Sequence, residues 1–488
     1  MSNQPRQVSE RGWLKGLSAG LKGQIGVPGT ETYRSGTRVW NQLARRRKPL
    51  AVIKPNDQED VVRTLRWARS EGVRVSPRSG GHSFDGFPVQ ENTILLDLSG
   101  LNAVRLDRNG WLHAGPGARI ESVARALSPA GFAVPTGDCP TVALGGLMTG
   151  GGFGYATRLF GMTLDSLKEA TVVTADGDAR RVDANTDPDL FWACRGGGSV
   201  AGIVTEFVLD TFRTDRVTVI GMGFAWDAAR DVIEIYDTIM RSAPRELDLK
   251  LKLRSTGIGR FLDTTIAGPA DTVPGVPLIH IDGQFLGSKA DAEPLLRPLL
   301  ENGALRHATI AEEGYFDAMI HLVPLPTLAE PAPETLIPQR VASDFLVRDL
   351  RSSDTDTIVD FMMEVQDASD LTGGCLLIEP ADGVVHEVAP KATAFPHRAA
   401  RLVFEWEMFH PMTLTPAVNA RLDGLLDLAR KRMGDAFSGG RYLNYADRLD
   451  APWNWWGGNV DRLDAIARHY DPEALLVSRL RPASASAA

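Results

Sequence analysis

The sequence is poor in cysteine, in excess positive charge and in long apolar runs, and each shortage excludes something. Three cysteines in 488 residues, Cys139, Cys194 and Cys375, are too few and odd in number for a disulfide framework. A reducing compartment is therefore expected. Lys and Arg number 53 against 61 Asp and Glu, a formal net charge of −8, whereas a phosphate-binding surface shows as a basic excess. Nucleic acid is thus excluded as a principal partner, and the short basic run Arg45-Arg46-Arg47-Lys48 is expected to be a solvated surface. No stretch approaches the roughly 18 apolar residues of a membrane-spanning helix, and the N-terminus has no apolar core of the kind a secretion signal needs. The expectation is a cytoplasmic protein with no membrane partner. No internal repeat stands out, and only 482–488 is of low complexity, a tail expected to fray.

Glycine, in contrast, is plentiful, at 48 residues, and it is clustered. Pro77-Arg78-Ser79-Gly80-Gly81-His82-Ser83 follows a short apolar strand and places two glycines and a histidine in a turn. Without a Cβ in the way, such amides can approach phosphate or carbonyl oxygens closely. Sixty residues on, Gly137 to Gly154 holds a cysteine, Cys139, among closely spaced glycines. Each glycine in a helix costs about 1 kcal/mol relative to alanine, so an ordinary helix is not expected here. The spacing of Gly150 to Gly154 superficially matches a nicotinamide-type Rossmann fingerprint. That motif needs a preceding buried strand, however, and here a proline and a cysteine stand in its place.

Together the two stretches resemble the FAD-binding domain of the berberine bridge enzyme-like oxidases, within the vanillyl alcohol oxidase superfamily. The resemblance implies FAD bonded covalently at two points, His82 to the flavin 8α-methyl and Cys139 to flavin C6. It also places Arg78, Ser79, Gly80, Gly81, His82, Ser83, Gly137, Cys139, Val142, Gly145, Gly146, Gly151, Gly152, Gly154 and Val204 about the cofactor, with Tyr442 and Asn444 from the far end of the chain. No metal site is implied. The segments Asp189 to Gly198, Gly202 to Thr205, Arg441 to Asp447 and Trp456 to Asn459 also fit the family. One departure stands out: Leu147 occupies a position where many members carry a histidine that donates a hydrogen bond near the flavin. The lack of a secretion signal makes the chain look like a bacterial relative rather than one of the plant members.

Periodicity fills in the rest. Ala51 to Ile53 and Ile94 to Leu98 read as strands, and Asn56 with Glu59 reads as the cap of a helix carrying Val61, Leu65 and Ala68. Val104 to Ala114 and Ala170 to Val182 read as hairpins about Asn109-Gly110 and Asp176-Gly177. From about Asp215 strand-like runs alternate with helices over 288–300, 355–367 and 416–433, and the proline-rich 323–338 reads as a long loop. The expected fold is α+β: a two-part FAD-binding domain of the PCMH type (46–215), then an α/β substrate-binding domain (216–440) with an antiparallel sheet covered by helices. A C-terminal segment (441–480) should return to the first domain, and residues 1 to about 45 should wrap it.

A flavin enzyme of this kind needs a base for the substrate proton. The resemblance points to Tyr445, the second tyrosine of Tyr442-Leu443-Asn444-Tyr445. An unperturbed phenol, with a pKa of about 10, would need a nearby cation or the electron-poor flavin to serve at neutral pH. Glu405 and Glu407 are the alternatives, since period-2 alternation puts them with Val403 and Phe409 on one face of the strand 401–409. The expected function is an FAD oxidase of a small organic molecule, an alcohol or sugar carbon or a secondary-metabolite intermediate undergoing oxidation or ring closure, with O2 as acceptor and H2O2 as product. In plant relatives, valine or isoleucine three residues after the flavin-linked cysteine goes with oxygen use and leucine with dehydrogenase behaviour, and Val142 holds that place here. The alternatives are a dehydrogenase with another acceptor, or a flavin-binding protein without activity.

Overall fold

The computed structural model describes residues 13–41, 44, 46–214, 216–256, 275–323 and 338–481. Arg45, nearly all of the proline-rich 323–338 stretch and the 482–488 tail therefore lie outside the described residues. The first sheet comprises β1 (Gln24–Gly26), β2 (Ala51–Lys54), β3 (Val75–Arg78) and β4 (Ile94–Asp97), in the order β1-β2-β4-β3. β2, β4 and β3 are parallel, so the chain must cross over between them. The crossover is the helix Gln58–Glu71, which buries Val61, Val62, Leu65 and Ala68 and ends at Gly72 in the left-handed conformation, φ 64°. Its cap is Asp57, which accepts from the Asp60 amide at 3.0 Å, one residue later than the Asn56 cap read from the sequence. Of the N-terminal residues described, Trp40 N–H donates to Gly81 O at 2.8 Å, and Asn41 Nδ2 donates to Phe84 O in this half and to Gln339 O in the other.

The second sheet is built from β5 (Val104–Leu106), β6 (Leu112–Ala114), β8 (Leu167–Val173), β9 (Ala179–Val182) and β10 (Ile203–Leu209). Its order is β5-β6-β10-β8-β9, and all its pairs are antiparallel. Both expected hairpins are present, with Gly110 and Gly177 at φ 80° in their turns. A two-stranded pair, β7 (Phe132–Ala133) and β11 (Phe212–Arg213), closes its flank.

The third sheet has seven antiparallel strands. In chain order they are β12 (Arg216–Phe224), β13 (Leu247–Arg254), β14 (Leu278–Phe285), β15 (Leu305–Gly314), β16 (Gln339–Leu346), β17 (Gly373–Pro380) and β18 (Leu402–Phe409), arranged β15-β12-β14-β13-β17-β18-β16. Helices Ala229–Ser242, Lys289–Leu300, Ser352–Asp367 and Pro416–Met433 cover one face. Leu247, Leu249, Leu251 and Leu253 of β13 join Ile279, Ile281, Phe404 and Trp406 in the core beneath them, each fully buried leucine contributing about 2 kcal/mol. The opposite face carries charge yet is also buried, because the first half of the chain lies over it: Asp248, Lys250, Lys252 and Arg254 of β13 all sit at 9% exposure or less.

Residues near 475 lie beside the first sheet. Val75 N–H donates to Leu475 O and Val477 N–H to Val75 O, both at 2.8 Å, so the tail lies against β3 just ahead of the glycine turn. Further back along the same segment, Asp447 binds the β16 residue Arg340 by two bonds, at 2.6 and 3.0 Å. Arg340 is 8% exposed and also reaches Asp423. Removing one partner of a buried pair leaves an uncompensated charge. Asp447→Ala is therefore expected to cost about 3 kcal/mol of stability, read as a lower urea midpoint at unchanged slope; a midpoint equal to that of the wild type would show that Asp423 alone suffices for Arg340.

Candidate active site

A cavity of about 510 Å³ runs between the two halves. Its wall contains Arg78, Ser79, Gly80, Gly81, His82, Ser83, Gly137, Cys139, Val142, Gly145, Gly146, Val204, Tyr442, Asn444 and Tyr445, and also Glu405 and Glu407. Gly151, Gly152 and Gly154 do not reach it. Space for a Cβ on them is taken by Tyr442, by Thr163 and by Thr136 O, so they permit close packing behind the wall.

The glycine turn is fixed by its neighbours. Arg78, 8% exposed, pairs with Asp97 at 2.8 Å and donates to Arg38 O at 2.9 Å. A Cβ on Gly80 would come 2.8 Å from Ala143 N, and one on Gly145 would come 2.0 Å from Ser79 Oγ. The two glycine segments therefore interlock, and that contact explains a helix not expected from the sequence, Leu144–Gly150. Tertiary packing outweighs the propensity cost. Because Gly150–Gly154 thus leaves a helix and not a strand, the Rossmann geometry is absent. Gly146 is exposed and has no atom within 4 Å of where a Cβ would stand, which leaves its backbone bare to the cavity.

At one end of the cavity His82 stacks on Trp40, centroids 5.0 Å apart, and its Nε2 lies 3.0 Å from Thr141 Oγ1. Burial, then the charges of Arg119 and Arg78, bring the imidazole down to about 4, so it is neutral at neutral pH. Burial pushes the Cys139 thiol up, against a hydrogen bond from Thr141. A neutral imidazole, a partly accessible thiol and a bare glycine backbone on the wall of one cavity fit a flavin.

Toward the third sheet, Tyr445 Oη donates to Glu379 Oε1 at 3.0 Å. The other oxygen of Glu379 binds Lys250 Nζ, which in turn binds Asp138, the residue before Cys139. Lys250 is 2% exposed and lies 4.7 Å from the Tyr155 ring. Burial alone would lower its pKa, but Asp138 and Glu379 outweigh it and raise the ammonium above its ordinary value. Burial and then Glu379 push the Tyr445 phenol well up. The lowered pKa that Tyr445 would need as a free base is not what this environment produces: the phenol stays protonated and faces a carboxylate acceptor.

Glu405 and Glu407 share a face of β18 as the alternation implied, but neither is the acceptor for Tyr445. Burial raises both, and for Glu405 the charges of Glu407 and Glu379 add to that rise. The positive charges of Arg254 and Lys252 act on Glu407, and Lys252 pairs with Asp282. Asn444 ties the remaining wall together, its Nδ2 donating to Tyr442 Oη at 3.0 Å and Leu147 O at 3.2 Å. Sequence reasoning missed Glu379, Lys250, Asp138, Thr141 and Trp40. For Lys250 the available signal was the strict alternation of Leu247-Asp248-Leu249-Lys250-Leu251-Lys252-Leu253-Arg254; the other four had none in the local pattern.

Comparison with known proteins agrees with this geometry. Residues 49–183 match the FAD binding domain family. The chain is 25% identical over 470 residues to a chitooligosaccharide oxidase of Gibberella zeae, covering 92% of this chain and 89% of that protein. In structure it is similar to Physcomitrella patens BBE-like 1, with a TM-score of 0.81, 21% identity and 96% and 98% of the two chains covered. It is also similar to the glucooligosaccharide oxidase of Acremonium strictum, described with a 6-S-cysteinyl, 8α-N1-histidyl FAD, at a TM-score of 0.80, 23% identity and coverage of 96% and 98%. Fold and site thus define an FAD-linked oxidoreductase. In fold the chain is similar to the berberine bridge enzyme-like proteins, and FAD is its cofactor. Among the described residues no helix is long and apolar enough to cross a membrane, and no group of three or more His, Cys, Asp or Glu could hold a metal ion.

The polar sheet face has a cost in acid. Both ring nitrogens of buried His280 lack a hydrogen-bond partner among the described residues, and burial, then Arg254, lowers its pKa to about 3; burial likewise brings His397 to about 4. Because these folded values lie below the unfolded value of about 6.5, their stabilising effect is full above that pH and is lost as pH falls toward them. His280→Leu is expected to reduce the acid slope of stability between about pH 6 and 4 by roughly 1.4 kcal/mol per pH unit, measured by urea midpoints across that range. An unchanged slope would show that His280 is already charged in the native protein.

Proposed function

We propose that the protein is an oxidase that carries FAD on His82 and Cys139 and removes hydride from the hydroxyl-bearing carbon of a small neutral polyol, a sugar carbon above all. O2 is the acceptor and H2O2 the product. The observation that carries the reading is the buried line Tyr445–Glu379–Lys250–Asp138, which joins a phenol on the cavity wall to the residue beside Cys139. When bound, FAD supplies the hydride acceptor. Tyr445 Oη receives the substrate hydroxyl proton as it passes its own to Glu379, and Lys250 compensates the charge there. Glu405, Glu407 and Lys252 line the substrate end. Lys252 is neutralised by Asp282, and burial raises both glutamates, with Arg254 acting against that rise at Glu407. This surface is rich in donors and acceptors and has little uncompensated charge, as hydroxyl recognition requires. The oligosaccharide oxidases among the relatives support the same substrate class. On this reading 46–215 holds the cofactor, 216–440 the substrate, and 441–480 supplies Tyr442, Asn444 and Tyr445. Val142 on the wall favours O2 as acceptor.

The test is a screen of mono- and oligosaccharides followed by peroxide release. The expected outcome is turnover of at least one sugar, flavin that stays in the acid-precipitated pellet, and Tyr445→Phe or Glu379→Gln variants that keep the flavin spectrum while their flavin reduction slows by about 10²-fold. Full-speed reduction in Tyr445→Phe would return that residue to a packing role. Reduced wild-type flavin that persists in air would replace the oxidase with a dehydrogenase.

A further inference from the structure

The two residues proposed to carry the flavin share one hydrogen-bond partner. Thr141 Oγ1 lies 3.0 Å from His82 Nε2 and 3.4 Å from Cys139 Sγ, and Thr141 is 7% exposed. A threonine hydroxyl has a single hydrogen, so between two such neighbours it donates to one and accepts from the other. Two arrangements exist. In the first, His82 Nε2–H donates to Oγ1 and the hydroxyl donates to the sulfur. Nδ1 then keeps its lone pair, and the thiolate form of Cys139 is favoured. In the second, the hydroxyl donates to Nε2, which puts the imidazole proton on Nδ1 and leaves Cys139 to donate its S–H, so both nucleophiles are disarmed together.

The surroundings favour the first. His82 lines the cavity, and a proton on Nε2 is satisfied there by Thr141 Oγ1. Thiol S–H is also a weak donor beside a hydroxyl. The stacked Trp40 ring, inclined by 24° to the imidazole, restrains it from turning.

We propose that Thr141 is the positioning residue for flavin attachment: its hydroxyl holds His82 with Nδ1 unprotonated and turns its own hydrogen toward Cys139. The inference rests on the covalent reading above. Each attachment replaces one flavin C–H, at the 8α-methyl or at C6, with a bond to Nδ1 or to sulfur. The carbon-bound hydrogen and the Nε2 or thiol hydrogen leave as protons, the electron pair passes into the ring system, and O2 removes that pair as H2O2. Thr141 takes part only as the contact through which the Nε2 and thiol protons are held and released.

The test uses full-length protein produced in riboflavin-starved cells and mixed with FAD in air. Covalent flavin is followed in the acid pellet, and peptide mass spectrometry scores the His82 and Cys139 bonds separately. Thr141→Val is expected to bind FAD yet to form both bonds about 10²-fold more slowly, while Thr141→Ser, which keeps the hydroxyl, attaches at close to the wild-type rate. Should the valine variant bind no FAD, Thr141→Ala takes its place with the same expectation. Attachment at the wild-type rate in the variant without the hydroxyl, or a serine variant as slow as it, would overturn the inference alone. Wild-type protein that releases all its flavin on acidification would overturn the covalent reading beneath it as well.

Discussion

The burial of Lys250 is the constraint on which the arrangement of this molecule depends. An ammonium taken out of water costs several kcal/mol unless partners replace its hydration, and here the partners come from both halves, Asp138 from the flavin segment and Glu379 from the seven-stranded sheet. Neither half could bury this cation alone. The charged face of β13 and the turn ahead of Cys139 are thus stable only when pressed together, and that pressing forms the cavity. Asp248, with both oxygens buried and no partner among the described residues, is pushed well above the usual carboxylate range by burial. The positive charges of Lys250 and Arg158 act against that rise without reversing it.

The second constraint is steric. Gly80 against Ala143 and Gly145 against Ser79 leave no room for a side chain, so the His82 turn and the short helix after Cys139 lock at one separation. Thr141 sits at that junction and bridges the two residues that the junction brings together. The separation of the nucleophiles is therefore a property of backbone contact, while the side chains adjust only their protons.

Much of this was legible in the sequence. The clustered glycines about His82 and Cys139 and the alternation that puts Glu405 and Glu407 on one strand face follow from local pattern, whereas the pairing of the two glycine segments and the return of the C-terminal tail came from the family resemblance. Three things were not. The helix Leu144–Gly150 forms against its own propensity, because its glycines are needed for contact with a loop sixty residues away. Glu379 sits in an ordinary apolar strand, and nothing local marks it as the partner of Tyr445. Leu247 to Arg254 alternates leucine with charge as a half-solvated strand would, and only the first half of the chain, lying across the charged side, turns that pattern into a buried network.

The bridge between Val75 and residues 475–477 sets an order of events in the cell. The outer neighbour of the strand that leads to His82 lies some four hundred residues further along the chain. During synthesis the edge of that sheet therefore stays bare until some four hundred further residues have left the ribosome. Tyr442 and Tyr445, which complete the cavity wall, also arrive late. A nascent chain that stops short of these residues therefore has the glycine turn but not the wall that faces it.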